Sequence, residues 1–153
     1  MVQMDDVDLR LLRTIQSEPD LPVAELARLA GLSQTPTWRR LKRLQDEGYI
    51  SGRAVLLDAG RLGLTVNVFA YIRLKHHDEE TLESLEQEVH QHPEIVECFS
   101  MSGDSDYVLR IMVRSVEDYE KFLKRVLSHL PGVAYINSSF SLKRVKLTTK
   151  IPL

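Results

Sequence analysis

Apolar residues recur with a helical period over the first 50 positions, and beyond position 64 the period shortens to two. Val7, Leu11, Leu12 and Ile15 share one helical face behind the N-cap candidates Asp5 and Asp6, and Pro19-Asp20-Leu21-Pro22 ends that helix. In a second helix Val23, Leu26, Ala27 and Ala30 fall at i, i+3, i+4 and i+7, a narrow stripe whose small residues allow close packing. Gly31 supplies the positive φ of a sharp turn. Ser33 is placed to cap a third helix, in which Pro36 lies in the first turn and breaks no intrahelical bond. Gly48 ends it. Tyr49 to Arg53 is expected to form a short wing or exit strand, and Ala54 to Leu57 a connecting strand. Two helices joined by a glycine turn form the helix-turn-helix layout, which sets the second helix in the major groove of DNA.

The turn-rich stretch Asp58 to Gly63 marks a boundary. Thr65 to Lys75 alternates, with Val66, Val68, Ala70, Ile72 and Leu74 on one face, and reads as a strand. Glu79 to Gln91 returns to helical spacing through Leu82, Leu85 and Val89. Ile95 to Ser102 and Asp106 to Val113 read as strands around a tight turn at Gly103-Asp104-Ser105. Ser115-x-x-Asp118 resembles a capping box before a helix buried through Tyr119, Phe122, Leu123, Val126, Leu127 and Leu130. Pro131-Gly132 stops it, and Val133 to Leu142 is a last strand. The order β-α-β-β-α-β is ferredoxin-like. The chain is therefore α+β. A three-helix, winged helix-turn-helix spans residues 1–50, a linker strand and turn 51–64, and a ferredoxin-like domain 65–153. Helices cover one face of such a sheet, so the face carrying Phe69 and Tyr71 predicts pairing with a second copy.

With 153 residues the chain has room for one domain or two small ones, and 43% hydrophobic with 27% charged residues suits a soluble globular protein. No apolar run approaches the roughly 18–20 residues of a membrane span. The acidic start Met1 to Asp6 reads as no targeting peptide, and the lone Cys98 fits a reducing compartment, so the expected location is cytoplasmic. The net charge of −2 hides a segregation. Residues 33–45 hold four cations and no carboxylate, whereas residues 78–97 hold eight acids and no Lys or Arg. The first segment points at phosphates; the second reads as a solvated helix face.

With Leu41 as the inward reference of the third helix, Thr37, Trp38 and Leu44 lie within about 60° of it. Arg39 and Arg43 point outward, flanked by Thr35, Arg40 and Lys42. Thr35 and Arg39, with Gln34, are expected at base edges, and Arg40, Lys42 and Arg43 at phosphates. Trp38 is expected to pack rather than intercalate, and with Ser33 and Thr37 it completes the DNA-binding set. Cys98 reads as a small core hydrophobe, the five histidines have no metal-ligand spacing, and no phosphate loop, nucleophile elbow or dinucleotide fingerprint occurs. No enzymatic activity, metal or cofactor is expected.

At this point the sequence resembles the Lrp/AsnC family, the leucine-responsive regulatory protein type of bacterial and archaeal transcription factor. The resemblance spans essentially the whole chain. It runs through Asp8-Leu9-Arg10-Leu11-Leu12, Glu25-Leu26-Ala27, Gly31-Leu32-Ser33, Arg39-Arg40-Leu41-Lys42-Arg43-Leu44 and Glu47-Gly48-Tyr49-Ile50. It continues through Leu57-Asp58, Leu62-Gly63, Pro93-Glu94-Ile95-Val96-Glu97-Cys98, Gly103-x-x-Asp106-Tyr107-Val108-Leu109-Arg110, Pro131-Gly132-Val133, Ser138-Ser139-Phe140 and Lys146 to Leu153. The sequence departs at Gln34, Thr37 and Trp38, where the family often has Pro, Cys and Leu.

The resemblance implies a sequence-specific regulator of transcription that binds double-stranded DNA. Its second domain would bind an effector and pair with itself into dimers, octamers or other even oligomers. It also implies a small effector, often an amino acid, at the turn Met101, Ser102, Gly103, Asp104, Ser105, Asp106 and Tyr107, with Ser128 nearby. Asp104 or Asp106 would face an ammonium group there and turn N–H groups a carboxylate. The competing reading is an amino-acid-sensing oligomer that acts on a protein partner without binding DNA.

Overall fold

The computed structural model describes residues 4–153. The chain divides into two compact units, Met1–Leu56 with Lys146–Leu153, and Leu57–Val145.

The first unit holds three helices, α1 (Asp6–Ser17), α2 (Val23–Ala30) and α3 (Gln34–Asp46). Asp5 caps α1 by a reciprocal capping box, its carboxylate accepting the Asp8 N–H at 2.8 Å while the Asp8 carboxylate accepts the Asp5 N–H at 3.2 Å. Gly31, at φ 70°, makes the left-handed turn that ends α2. Ser33 stands at the N-cap of α3, but its hydroxyl makes no capping bond there. Leu11, Leu26 and Ala30 form the core, with Val7, Ile15, Leu21, Leu32 and Leu41 packed on them.

Neither the expected wing nor the connecting strand forms. Residues 51–57 have no regular structure, and Val55, Leu56 and Leu57 are exposed. A strand needs an edge to pair with, and among the described residues no strand pairs with this segment. The expected end of the second domain is also corrected. Residues 146–153 join the first unit, where the Gln16 amide donates to the Ile151 carbonyl at 3.0 Å and accepts the Ile151 N–H at 3.1 Å. Arg13 Nε donates to the Leu153 carbonyl at 3.2 Å. One amide side chain thus supplies what a neighbouring strand would.

The second unit runs β1 (Val66–Leu74), α4 (Glu79–His90), β2 (Ile95–Ser100), β3 (Tyr107–Val113), α5 (Val116–Arg125), a 3₁₀ turn (Leu127–His129) and β4 (Val133–Phe140). The strands form one antiparallel sheet in the order β2-β3-β1-β4, the ferredoxin-like arrangement. Ser115 caps α5 by accepting the Asp118 N–H at 3.0 Å. The single last helix expected from the sequence is two pieces. At Val126 φ widens to −118°, and the tighter turn that follows brings Leu127 and Leu130, both buried, into line at i and i+3. Val68, Ala70, Ile72, Leu109 and Ile111 face the helices and pack on Leu85, Val89, Tyr119, Phe122 and Leu127. The other sheet face carries Phe69, Tyr71, Val108 and Met112, partly exposed, with Phe99 and Tyr135 more exposed.

Candidate nucleic-acid interface and effector cavity

Helix α3 and its N-cap Ser33 carry the residues expected to meet DNA, and packing sorts them. Gln34, Thr35, Trp38, Arg39 and Lys42 are exposed, as is Ser33 just before the helix. Thr37, expected in the DNA-binding set, is wholly buried and its hydroxyl donates to the Ser33 carbonyl at 3.0 Å, so it braces the first turn. Arg43, expected to point outward, is folded back. Asp8 of α1 has no exposed surface, and its two oxygens accept from Arg40 Nη1 at 2.8 Å and from Arg43 Nη2. Arg40 also donates to Asp5 at 2.7 Å. The Asp5 carboxyl is held below its ordinary value, first by the Asp8 N–H and then by Arg40. The Arg43 Nε is buried without a partner among the described residues.

The second departure is Trp38, which was expected to pack. It is 54% exposed, with Lys42 Nζ 5.5 Å from its ring centroid. The buried positions Thr37 and Leu44 centre the inward face between them, on the far side of Leu41 from Trp38. Beyond Arg39, an open cleft of about 340 Å³ is lined by Pro36, Arg39, Arg40 and Arg43. Three arginines line this cleft, two of them paired with Asp8, and such a lining suits a phosphate.

In the second unit an open cavity of about 330 Å³ is lined by Tyr71, Met101, Ser102, Asp104, Ser105 and Asn137. The turn expected to bind an effector supplies four of these residues; Tyr71 and Asn137 come from paired positions of β1 and β4. Tyr71 was legible as an outward residue of β1, but Asn137 had no sequence signal short of the strand register. Gly103 holds φ 131°, a conformation that favours glycine.

The remaining candidates do other work. Asp106 accepts the Leu74 N–H at 2.7 Å and contacts His77 Nε2 at 2.8 Å, so it pins the turn to β1. Its carboxyl is held below the ordinary range, first by the Leu74 N–H and then by His77. Tyr107 is buried and donates to Glu86 at 2.8 Å; burial, then that bond, pushes its hydroxyl up to about 12. Ser128 donates to the Leu123 carbonyl at 2.8 Å and lines no part of the cavity. Cys98 packs partly buried against the core, and burial pushes its thiol up, away from the thiolate form.

Residues 67–151 match the sequence model of the Lrp/AsnC ligand binding domain, and residues 4–51 that of a winged helix-turn-helix DNA-binding domain. The chain belongs to the Lrp/AsnC family. The Bkd operon transcriptional regulator of Pseudomonas aeruginosa is 39% identical over 153 residues, which is the full length of both chains. The DNA-binding transcriptional activator DecR of Escherichia coli is 35% identical, covering 98% of this chain and 99% of that one. An AsnC family transcriptional regulator from Agrobacterium tumefaciens has the same structure at a TM-score of 0.91, with 38% identity and 97% of each chain covered. A Neisseria meningitidis transcriptional regulator solved as an L-Met complex also reaches 0.91, at 30% identity over 98% of this chain and 97% of that one. In this Lrp/AsnC chain the two matched segments are the α1–α3 region and the sheet with its cavity.

Proposed function

We propose that this DNA-binding transcriptional regulator docks α3 in the major groove of duplex DNA and is tuned by an amino acid bound at the Tyr71–Asn137 cavity. The observation that carries the DNA half is the exposed face of Gln34, Thr35 and Arg39 beside a cleft lined by three arginines. Base edges meet the first turns of α3. Arg39, expected from the sequence at a base edge, lines the cleft and meets phosphate there with Arg40 and Arg43, the latter two held in place by Asp8. Lys42 adds a further phosphate contact from the opposite flank.

For the effector, Asp104 suits an ammonium group, the glycine turn offers N–H groups to a carboxylate, and Tyr71 and Met101 offer apolar surface. The L-Met complex of the Neisseria relative supports an amino acid as the ligand class. The open sheet face, with Phe69, Tyr71, Val108 and Phe99, supports pairing with a second copy and growth into higher even oligomers. A symmetric pair of α3 helices wants half-sites about one or two helical turns apart, near 10–21 bp. The effector acts by favouring one assembly over another, since equal affinity for both would shift nothing.

Genomic-fragment binding and light-scattering mass, measured on one preparation with and without mixed amino acids, test this directly. Discrete bound fragments, with a footprint or mass that an amino acid alters, are expected. Arg39→Glu is expected to abolish binding, and Arg39→Ala to lower the log–log salt slope by about 1. An oligomer that responds to an amino acid but ignores DNA would leave the protein-partner reading instead.

A further inference from the structure

We infer that Trp38 is a specificity-determining residue that reads thymine through its 5-methyl group; the assignment rests on the DNA-binding reading above. Trp38 is the chain's only tryptophan, and it is 54% exposed on a helix whose spacing would let it pack inward. Leaving an indole in water forgoes the stabilisation its burial would bring, so its surface is suited to a partner outside the unit. Lys42, one turn on, sets its ammonium 5.5 Å from the ring centroid, and Thr35 lies one turn back on the same exposed side. The result is an apolar plate with positive charge over one face.

Duplex DNA matches that chemistry in one place. In the major groove, guanine, adenine and cytosine present hydrogen-bonding groups, whereas thymine adds a methyl, and every base is edged by phosphate. Stacking between bases fits poorly, because side chains that wedge base steps apart enter from the minor groove. The ion pairs of Arg40 and Arg43 with Asp8 tie down the opposite flank of α3 and fix its rotation. The Trp38 flank is therefore the one that turns toward the base edges as the arginine cleft takes phosphate.

The test uses the full chain and a duplex enriched from a random-sequence pool, with each thymine replaced in turn by deoxyuridine. Wild-type affinity is expected to fall about fourfold at one or two positions per half-site, the factor that burial of one methyl group carries. Trp38→Ala is expected to bind thymine and uracil duplexes equally there, and Trp38→Phe to keep part of the preference. Fluorescence of the single tryptophan is expected to change on binding the thymine duplex. Indifference of the wild type to every replacement overturns the assignment, as does an unchanged thymine preference in Trp38→Ala. Either result leaves duplex binding itself standing. Failure of the wild-type protein to bind any duplex at low salt removes the DNA-binding reading, and the assignment with it.

Discussion

Asp8 lies under α3 with both oxygens occupied by guanidinium groups of that helix. A carboxylate taken out of water is tolerated only when paired and hydrogen-bonded, and removing one partner strands the others. Asp8→Asn is therefore expected to cost about 2–4 kcal/mol in urea unfolding, the lower end reflecting the partial exposure of both arginines. A loss below about 0.5 kcal/mol, the ordinary effect of a surface substitution, would show the pair to be unimportant. Asp106 makes an acid-side prediction. Its folded-state value lies below the ordinary 3.8, so its contribution is fully present above that value and is lost as pH falls through the lower folded value. Asp106→Asn should flatten the fall of melting temperature in that acid range relative to wild type. Neither role was legible in the sequence. Asp8 three places after Asp5 reads as part of a helix cap, and nothing local reveals partners 32 and 35 residues away. Periodicity likewise assigned Trp38 to the core and Arg43 to water, because a count at 100° per residue knows nothing of where a buried charge pulls a long side chain.

At the scale of elements, α1, α2, α3, α4 and the four strands were legible because each carries a clean period and its own stop signals. Asp5, Gly31 and Ser115 mark ends that the structure keeps. What failed were segments whose state depends on a neighbour: the wing and linker strands have no edge to join, and Leu127 to Leu130 follows the core rather than its own helical propensity. The turn at Gly103 was legible from that glycine and its flanking strands, but the pairing of Asn137 with Tyr71 beside the cavity exists only through the β1–β4 register. Gly132, between the 3₁₀ turn and β4, tests that packing. It has φ 70°, and a Cβ there would lie 2.2 Å from Thr81 Cγ2, on a side chain whose hydroxyl is held by Asp78. Gly132→Ala is expected to cost about 2–3 kcal/mol, combining backbone strain with overpacking. Chemical denaturation measures it. Adding Thr81→Ala should recover the steric share, and strictly additive losses would place the whole cost in the backbone.

Over the whole molecule, the proposed pairing rests on the open sheet face. Val108 sits between Tyr71 and Phe99 on neighbouring strands, with the bidentate Arg110–Glu97 pair beside it. Val108→Asp places a charge among these apolar groups, and light scattering is expected to show a shift to smaller species with the fold retained. An unchanged mass would remove this face from the proposed pairing. The division of the chain has a consequence for its synthesis. Residues 146–153 complete the unit begun by the first 56, and the whole of Leu57–Val145 must be translated in between. At roughly 5–20 residues per second, that interval is on the order of ten seconds. During it Gln16 and Arg13 of the nascent helix-turn-helix have no peptide to clasp, so the bonds they make to Ile151 and Leu153 are late additions to a unit begun much earlier.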